Sequence, residues 1–340
     1  MSKKCFSFVE VIVIIFLFSL TFFSIMLAFQ KLIKIANRTK IKNIALSLAQ
    51  EKLEKIKGMD YQEIGTIGGV PPGNIPQEEE ETRSNIKFKI KTKILYIDDP
   101  YDGLAPDDPV PTDYKRVKVI VSWQGASAGE IFSITDIAPP DIESESGGTL
   151  RIRVINASSE PVPQATVHIV NSDVSPSIDV YYETDDNGLL VLPGAPASIE
   201  SYMIEVTKNG YSTDRTYSYE EVAQPAKPPL SVIEGEVTDV VFSIDRLSSF
   251  SIKTSPSTPN LSFELKGEKI IGYDENDNPV LKYQKSFTTN ENGEVLIENL
   301  EWDSYEFSII TEGYTLKETD PPQPIELSPG TNQNVILYIE

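Results

Sequence analysis

The pattern of hydrophobic and polar positions divides the chain into three parts. The first opens with an almost uninterrupted apolar run from Phe6 to Phe29, whose only charged residue is Glu10. A run of 24 residues is long enough to cross a bilayer as a helix. Apolar residues then recur at helical spacing as far as Ile56, and Gly58 is a typical stop signal. The pattern therefore predicts one helix over residues 6–57 and a first domain over 6–58.

The second part, residues 59–140, alternates between apolar and charged positions as β-strands do. The clearest alternation covers 86–97 and 115–123, and a shorter strand follows at 130–135. The acidic run Glu78–Glu81 is predicted to lie in a loop. Three antiparallel strands packed on the helix would form a small α+β head. Six cations are expected on the outer face of its first two strands: Lys87, Lys89, Lys91, Lys93, Arg116 and Lys118.

The third part follows a polar linker at 141–148. Its pattern of short apolar segments and turns is typical of all-β structure, and the same order of motifs occurs twice. An Asn-Gly turn ends at Gly188 in the first copy and at Gly293 in the second. Roughly seven short strands in about 95 residues are typical of a Greek-key sandwich. We predict β-sandwich modules at 149–246 and 247–340. The expected fold class is multidomain, α+β and all-β: a long N-terminal helix with a small antiparallel-sheet head, then two β-sandwich modules.

Charge is distributed very unevenly along the 340 residues. The net charge is −21, yet residues 1–58 carry ten Lys or Arg against three Glu, a balance of +7. The remainder therefore carries −28. The strongly acidic body that follows the basic membrane segment would be soluble and self-repelling outside the membrane. The chain as a whole is not suited to binding nucleic acid.

The chain has one cysteine, Cys5, and one histidine, His168. This excludes an intrachain disulfide, a Cys-rich zinc site and a His-centred metal cluster. His168 lies in a strand-like segment and no nucleophile-elbow motif is present, so we expect no enzymatic activity, no cofactor and no metal site. Asp274 begins a pattern like that of a calcium loop, but Pro279 and Lys285 replace the required Gly and Glu, which favours an acidic turn.

Several kinds of N-terminal segment combine basic and apolar residues. A cleaved secretory signal would need a small-residue site after the apolar run, and the run passes instead into Gln30 and Lys31. A lipoprotein signal would need an apolar stretch before Cys5, where only four residues stand. Lys3 and Lys4 favour a cytoplasmic N-terminus by the positive-inside rule. An uncleaved signal anchor and a processed one remain.

The residues Lys3-Lys-Cys-Phe-Ser-Phe-Val-Glu10 resemble the type IV prepilin signal, a basic leader followed by a small residue, Phe and then Glu. This resemblance implies removal of residues 1–5 by cleavage between Cys5 and Phe6, and N-methylation of Phe6. Cys5 stands where Gly is usual. In such filaments Glu10 would pair with the amine of a neighbouring subunit, which offsets the cost of a carboxylate among apolar residues. The implied partners are other pilin subunits, the prepilin peptidase and the inner-membrane assembly platform.

The order of motifs in the sandwiches, with Pro161-Val-Pro163, Asp186-Asn-Gly188 and Gly210-Tyr211 in the first copy, resembles carboxypeptidase regulatory-like domains and their transthyretin-like and Cna-B-like relatives. The resemblance implies non-catalytic modules that act as spacers, stabilisers or binding surfaces. Some Cna-B relatives carry a Lys–Asn isopeptide bond, for which the second copy offers Lys253 and Asn334.

These resemblances lead to one main expectation. The chain would be a minor pilin or pseudopilin of a type IV pilus or a type II secretion-like filament. It would cross the cytoplasmic membrane once, with its N-terminus inside, and display the sandwiches outward for adhesion to a surface or glycan. The alternative is an uncleaved, membrane-anchored surface protein whose sandwiches form an adhesin stalk. The lysine-rich strands could contact DNA or a glycan, but a solvated face neutralised by Glu78–Glu81 is the interpretation we favour.

Overall fold

A computed structural model describes residues 8–101, 103, 105, 107–108, 110–125, 128–140 and 147–340. Cys5 and Phe6 lie outside the described residues. The chain forms two compact units, and each is described by itself. The first contains the described residues up to Asp60 together with Pro76–Lys93 and Val117–Asp136. The second contains Tyr61–Ile75, Ile94–Arg116 and Ile137–Glu340, so the predicted head at 59–140 is divided between the two units.

The first unit is built on one long helix, α1 (Phe8–Lys57). It ends as predicted, with the Gly58 amide donating to the Glu54 carbonyl at 3.2 Å. The hydroxyls in its apolar half bond to the helix itself: Ser19 to the Ile15 carbonyl at 2.7 Å, and Ser24 to that of Leu20. These side chains therefore need no partner from water in that half. The predicted stripe is buried in the other half, at Ala45, Leu48, Ala49, Leu53 and Ile56.

A sheet of four strands accompanies the helix. In the order in which they pair, they are β1 (Glu78–Arg83), β2 (Ile86–Ile97), β3 (Tyr114–Trp123) and β4 (Gly129–Ile137). Burial alternates along β2 and β3 as predicted, with Phe88 and Ile90 buried and Lys87 and Lys89 exposed. Ion pairs join α1 to β1, from Lys52 to Glu79 at 2.5 Å and from Arg83 to Glu51 at 3.1 Å.

The prediction of a loop at Glu78–Glu81 and of a three-stranded sheet is wrong. These residues form most of β1, which pairs antiparallel with β2. The physical reason lies on the partner strand, where lysines face the glutamates across the ladder. Cross-strand pairs of opposite charge stabilise a strand that has no hydrophobic alternation of its own.

In the second unit, a short 3-10 helix at Tyr61–Glu63 precedes the two sandwiches. The strands of the first sandwich are β5 (Gly148–Ile155), β6 (Thr166–Asn171), β7 (Ile178–Glu183), β8 (Leu189–Ala195), β9 (Ser198–Thr207), β10 (Asp214–Arg215), β11 (Gln224–Pro225), β12 (Leu230–Val232) and β13 (Val237–Ser243). One sheet has the order β13-β5-β8 and the other β10-β9-β6-β7, with β12 also on β9. The first and last strands, β5 and β13, are parallel.

The second sandwich repeats this topology. Its strands are β14 (Ser248–Ser255), β15 (Ser262–Gly267), β16 (Ile270–Tyr273), β17 (Pro279–Leu281), β18 (Gln284–Thr288), β19 (Glu294–Leu300), β20 (Asp303–Ile309), β21 (Leu316–Asp320), β22 (Ile325–Leu327) and β23 (Asn332–Ile339). The sheets have the orders β19-β14-β23-β21 and β18-β15-β20-β22, and β14 and β23 are again parallel. The predicted fold class is confirmed.

The core of the first sandwich extends beyond its own strands. Val70, which precedes the sandwich by almost eighty residues, is fully buried in the same cluster as Leu150 and Tyr202. The buried Tyr182 hydroxyl lies 3.1 Å from the Val70 carbonyl oxygen and 3.3 Å from that of Ile94, and burial raises the pKa of this phenol. These contacts explain why Tyr61–Ile75 and Ile94–Arg116 belong to the second unit.

Aromatic rings form the centre of the second sandwich. Phe250 is fully buried, and its ring centre lies 5.5 Å from that of Tyr305 in an edge-on arrangement and 5.8 Å from that of Phe307. The Tyr305 hydroxyl donates to the Glu301 carbonyl at 2.9 Å, and that of Tyr202 donates to the Pro196 carbonyl at 2.5 Å in the first sandwich. Equivalent strands β9 and β20 thus each contribute a buried tyrosine with a satisfied hydroxyl, as a buried phenol requires.

Candidate functional site

The N-terminal half of α1 presents a continuous apolar surface. Within Ile15–Lys57 the most apolar 18-residue window has a mean hydropathy of 1.8, and none of it is buried. The exposed side chains include large aromatic groups such as Phe8, Phe18, Phe22 and Phe23. By length and composition this helix can cross a bilayer. Exposing this much apolar surface to water is unfavourable, at roughly 25 cal/mol for each Å², so lipid or other helices must cover it.

Only part of the predicted N-terminal site can be placed. Glu10 lies in the first turn of the described helix. Cleavage between Cys5 and Phe6, methylation of Phe6 and the assembly role of Glu10 therefore stay predictions. What the structure adds is that the apolar half and the half packed on the sheet belong to one continuous helix from Phe8 to Lys57.

The lysines of β2 are brought together with the glutamates of β1. Lys87 lies 2.5 Å from Glu80, and Glu78 accepts from both Lys89 at 2.6 Å and Lys91 at 3.1 Å. The hydrogen bond from Lys89 is the main cause of a lowered pKa for Glu78. The alternation predicted this cationic face correctly, but β1 supplies it with carboxylates at ion-pair distance.

Two further cations of the predicted patch, Lys118 and Arg116, contact aromatic rings. The Lys118 ammonium lies 5.0 Å from the centre of the Phe132 ring, and the Arg116 guanidinium lies 5.8 Å from that of Tyr114. Such cation–π contacts are weak at exposed positions, at about 0.5–1 kcal/mol. Because Lys87, Lys89 and Lys91 are paired with glutamates, and Lys118 and Arg116 lie over aromatic rings, this face offers an anionic polymer little uncompensated positive charge.

We expect the double variant Lys89→Glu with Lys91→Glu to leave binding to DNA or to an anionic glycan unchanged. Both lysines are already paired with Glu78, and the rest of the chain is acidic. The measurement is retention of the full chain in detergent on DNA and glycan columns over a salt series, because phosphate contacts make binding steeply salt-dependent. Lys266→Glu with Lys285→Glu, on strands of the second sandwich, is the matched control. A loss of retention confined to the first pair would instead establish the anionic-ligand patch.

A second group of polar residues lies where the two sandwiches meet. Strand β11 of the first sandwich pairs with β16 of the second, and the Ala226 amide donates to the Ile271 carbonyl at 2.8 Å. Lys282 of the second sandwich donates to the Thr213 carbonyl of the first at 2.8 Å. Beside this junction is a cleft of about 350 Å³. Its lining includes Asp214, Tyr217, Lys227, Lys269, Glu301 and Trp302.

The charges in this cleft are paired with each other. Glu301 accepts from Lys269 and from Lys282, each at 2.6 Å, while Lys227 pairs with Asp214. Lys269 also lies over the Trp302 ring, 3.4 Å from its centre, and burial lowers the pKa of this ammonium while Glu301 opposes the shift. Each of these ion pairs lies within one sandwich, and the junction between the sandwiches consists of the β11–β16 pairing and the Lys282 contact with Thr213. Sequence reasoning missed it because a two-residue strand containing a proline gives no periodic signal.

The structure places two other residues as the sequence predicted. His168 is a residue of β6, where it bonds to Asp179 at 2.8 Å and stacks on Tyr181 with ring centres 4.0 Å apart. Asp274 closes a turn, because one of its carboxylate oxygens accepts from the amides of Asn276 and Asn278, both at 2.8 Å. That oxygen is therefore used by the backbone, as the interpretation of an acidic turn requires.

The residues considered for an isopeptide bond lie on neighbouring strands. Lys253 of β14 faces Ile336 in the register of β23, and Asn334 faces Ser251, so the two are offset by two positions. The Lys253 side chain is 61% exposed and its ammonium lies 3.3 Å from Glu294. Bond formation requires a lysine amine in an apolar setting, which this exposed side chain beside Glu294 does not have.

Comparisons with known proteins identify no family. No family model matches the chain, and no curated protein matches it. Among solved structures it is similar to the Bacillus anthracis TIE protein, with 15% identity, a TM-score of 0.25, and coverage of 77% of this chain and 56% of that one. It is also similar to a streptococcal ancillary pilin, with 12% identity, a TM-score of 0.25, and coverage of 66% and 76%.

A third similar structure is GBS52, the minor pilin of Streptococcus agalactiae, with 12% identity, a TM-score of 0.24, and coverage of 56% of this chain and 95% of that one. The chain spans little more than half the length of the Bacillus anthracis protein. TM-scores near 0.25 do not establish a shared overall fold, and the likeness carries no argument about function.

Proposed function

We propose that the chain is a filament subunit, a minor pilin or pseudopilin of a type IV pilus or a type II secretion-like system. The observation that carries the proposal is the division of α1 into two halves. Its first half is apolar and exposed, and its second half buries a stripe that ends at Ile56. A helix of this kind can anchor a subunit in a membrane and later pack against the helices of other subunits.

Processing and assembly follow from the N-terminal residues. A prepilin peptidase would cut between Cys5 and Phe6 and methylate the new amine. The inner-membrane platform would then add the subunit to the filament, with the Glu10 carboxylate accepting from the Phe6 amine of a neighbour. A desolvated pair of this kind is favourable only when both partners are present, so it selects correctly placed subunits.

The sandwiches would act without catalysis. Lys3 and Lys4 hold the N-terminus inside, which sends everything after α1 to the outer side of the membrane. Displayed on a filament, the two modules would serve as a spacer or as a surface for adhesion. Their direct junction through β11 and β16, reinforced by Lys282, supports a stiff tandem unit.

The second candidate is a single-pass surface protein anchored by an uncleaved helix. The same exposed apolar half of α1 supports it, since a permanent anchor needs no partner subunit. It differs from the first candidate in the fate of residues 1–5 and in the role of Glu10.

Mass spectrometry of the N-terminus of the native protein separates the two candidates. We expect the mature chain to begin at Phe6 with one added methyl group on its amine. The variant Cys5→Gly, which restores the usual residue, serves as the control and should be processed at least as completely. A native chain that begins at Met1 or Ser2, beside a Cys5→Gly chain that is cleaved, would overturn the first candidate and leave the uncleaved anchor.

A further inference from the structure

The loop between β2 and β3 gathers three carboxylates. Ligand oxygens of Asp98, Asp108 and Asp113 all lie within 4.8 Å of one another, although the residues are ten and five positions apart in the sequence. All three belong to the second unit. Carboxylates this close repel one another unless they are protonated or share a cation.

Backbone donors hold each of these carboxylates in place. Ala105 donates its amide to Asp98 Oδ2 at 3.0 Å, Val110 to Asp108 Oδ1 at 2.9 Å, and Asp99 to Asp113 Oδ2 at 2.7 Å. One oxygen of each group is therefore fixed by the loop itself. The arrangement is a preorganised set of carboxylates, as a metal site needs.

The environment of Asp108 points to a ligand independently of the clustering. Its side chain is 7% exposed, and among the described residues its Oδ2 atom is buried without a hydrogen-bond partner. A buried carboxylate oxygen left in this state is costly, and native structures rarely contain one without a bound ion or water. Asp108 also borders a small, partly open pocket of about 20 Å³, together with Thr112 and Glu236. Such a space accommodates about one water-sized particle.

We infer that Asp98, Asp108 and Asp113 bind a divalent cation, and that the cation is Ca²⁺. The donors are all oxygens, which hard cations prefer. Two ligands of one Ca²⁺ can lie up to about 5 Å apart, since each sits about 2.3–2.6 Å from the ion, and the observed limit of 4.8 Å satisfies this condition. Mg²⁺ demands near-ideal octahedral geometry, whereas Ca²⁺ accepts the flexible coordination that an irregular loop provides. Backbone carbonyls and water would complete the coordination.

The site is independent of the proposed function, because it rests on the loop alone. We expect a site of three carboxylates on one irregular loop to bind Ca²⁺ with the affinity of extracellular Ca²⁺ modules, a Kd on the order of 10⁻⁴ to 10⁻³ M. Binding to the folded loop and not to the unfolded chain also raises the free energy of unfolding, with the logarithm of the ligand concentration above the Kd. Bound Ca²⁺ would therefore stabilise the folded loop that runs from Asp98 to Asp113.

The test uses the full chain in detergent after treatment with a chelator, titrated with CaCl₂ by calorimetry and followed by thermal unfolding. We expect about one Ca²⁺ per chain, a rise in the unfolding midpoint with Ca²⁺, and a smaller response to MgCl₂. Asp108→Asn keeps the oxygen that Val110 uses and should weaken binding at least about tenfold. Asp107→Asn removes the same charge from the neighbouring exposed position and should leave binding unchanged.

Several results would overturn the inference. They are no heat and no shift of the midpoint with Ca²⁺ in the millimolar range, an equal response to Mg²⁺, or equal losses in the Asp107 and Asp108 variants. Asp113→Asn, which also keeps its backbone acceptor, replaces Asp108→Asn if that variant fails to fold. If neither folds, the Ca²⁺ and Mg²⁺ titrations of the unmodified chain decide.

Discussion

Replacing Glu10 with Leu is expected to remove the protein from filaments while leaving it in the membrane. Glu10 lies in the first turn of an otherwise apolar helix half, and a charged residue is costly in lipid, so its replacement by Leu makes insertion easier. Assembly loses the partner of the neighbouring Phe6 amine, and removing one member of a buried pair costs about 3–5 kcal/mol. At about 1.4 kcal/mol for each factor of ten, incorporation should fall at least a hundredfold.

The measurement compares the amount of subunit in sheared filaments with the amount in the membrane fraction of the same cells. Glu54→Leu is the matched control, since it removes the same residue type from an exposed position of the same helix, where Glu54 pairs with Lys57. Glu10→Asp, which retains the charge on a shorter side chain, should fall between the two. If Glu10→Leu enters filaments at the unmodified level, the assembly role of Glu10 is refuted.

The second large effect concerns the folding of the second sandwich. Phe250→Ala is expected to lower the free energy of unfolding of this module by about 3–5 kcal/mol, the usual cost of deleting a fully buried aromatic side chain. Phe250 is fully buried and loses contact with Tyr305 and Phe307 in the variant. For a module of this size each kcal/mol shifts the midpoint by about 4–8 °C, so the variant should melt tens of degrees lower.

Chemical denaturation of the full chain in detergent, followed by near-ultraviolet circular dichroism, measures this loss. Phe132→Ala is the control, because that side chain in β4 is 59% exposed and its removal should change stability by less than about 0.5 kcal/mol. Phe250→Leu keeps most of the volume and should cost about 1–2 kcal/mol. A loss below 1 kcal/mol for Phe250→Ala would show that Phe250 is not central to the core.

Local sequence patterns were enough to predict the elements whose own residues show a clear period or turn, namely the helix, β2, β3 and the repeat of the sandwiches. The helix ends at Lys57 because Gly58 follows it, and β2 and β3 appear where apolar and charged residues alternate. The repeat of the sandwiches was visible because the turns at Gly188 and Gly293 both need a positive φ, which is 69° and 71° here. In each case the information lies within a few residues of the element.

What could not be predicted depends on partners that are distant in the sequence. β1 is a strand because Lys89 and Lys91 lie across from Glu80 and Glu78 in the ladder. Val70 reaches the first sandwich through Tyr182, 112 residues away. The Asp98–Asp108–Asp113 cluster has no motif, since its irregular loop alone brings the carboxylates together, and reasoning from the lack of Cys and His could not find it.

The parallel pairing of first and last strands has a mechanical consequence. β5 and β13 run side by side over seven residue pairs, as do β14 and β23. The chain therefore enters each of these pairs at one end and leaves it at the other. Tension along the polypeptide would slide the two strands past each other and load all their hydrogen bonds together, whereas an antiparallel hairpin would open one bond at a time. The first and last strands of each sandwich thus share a pulling load across all the hydrogen bonds of their pairing.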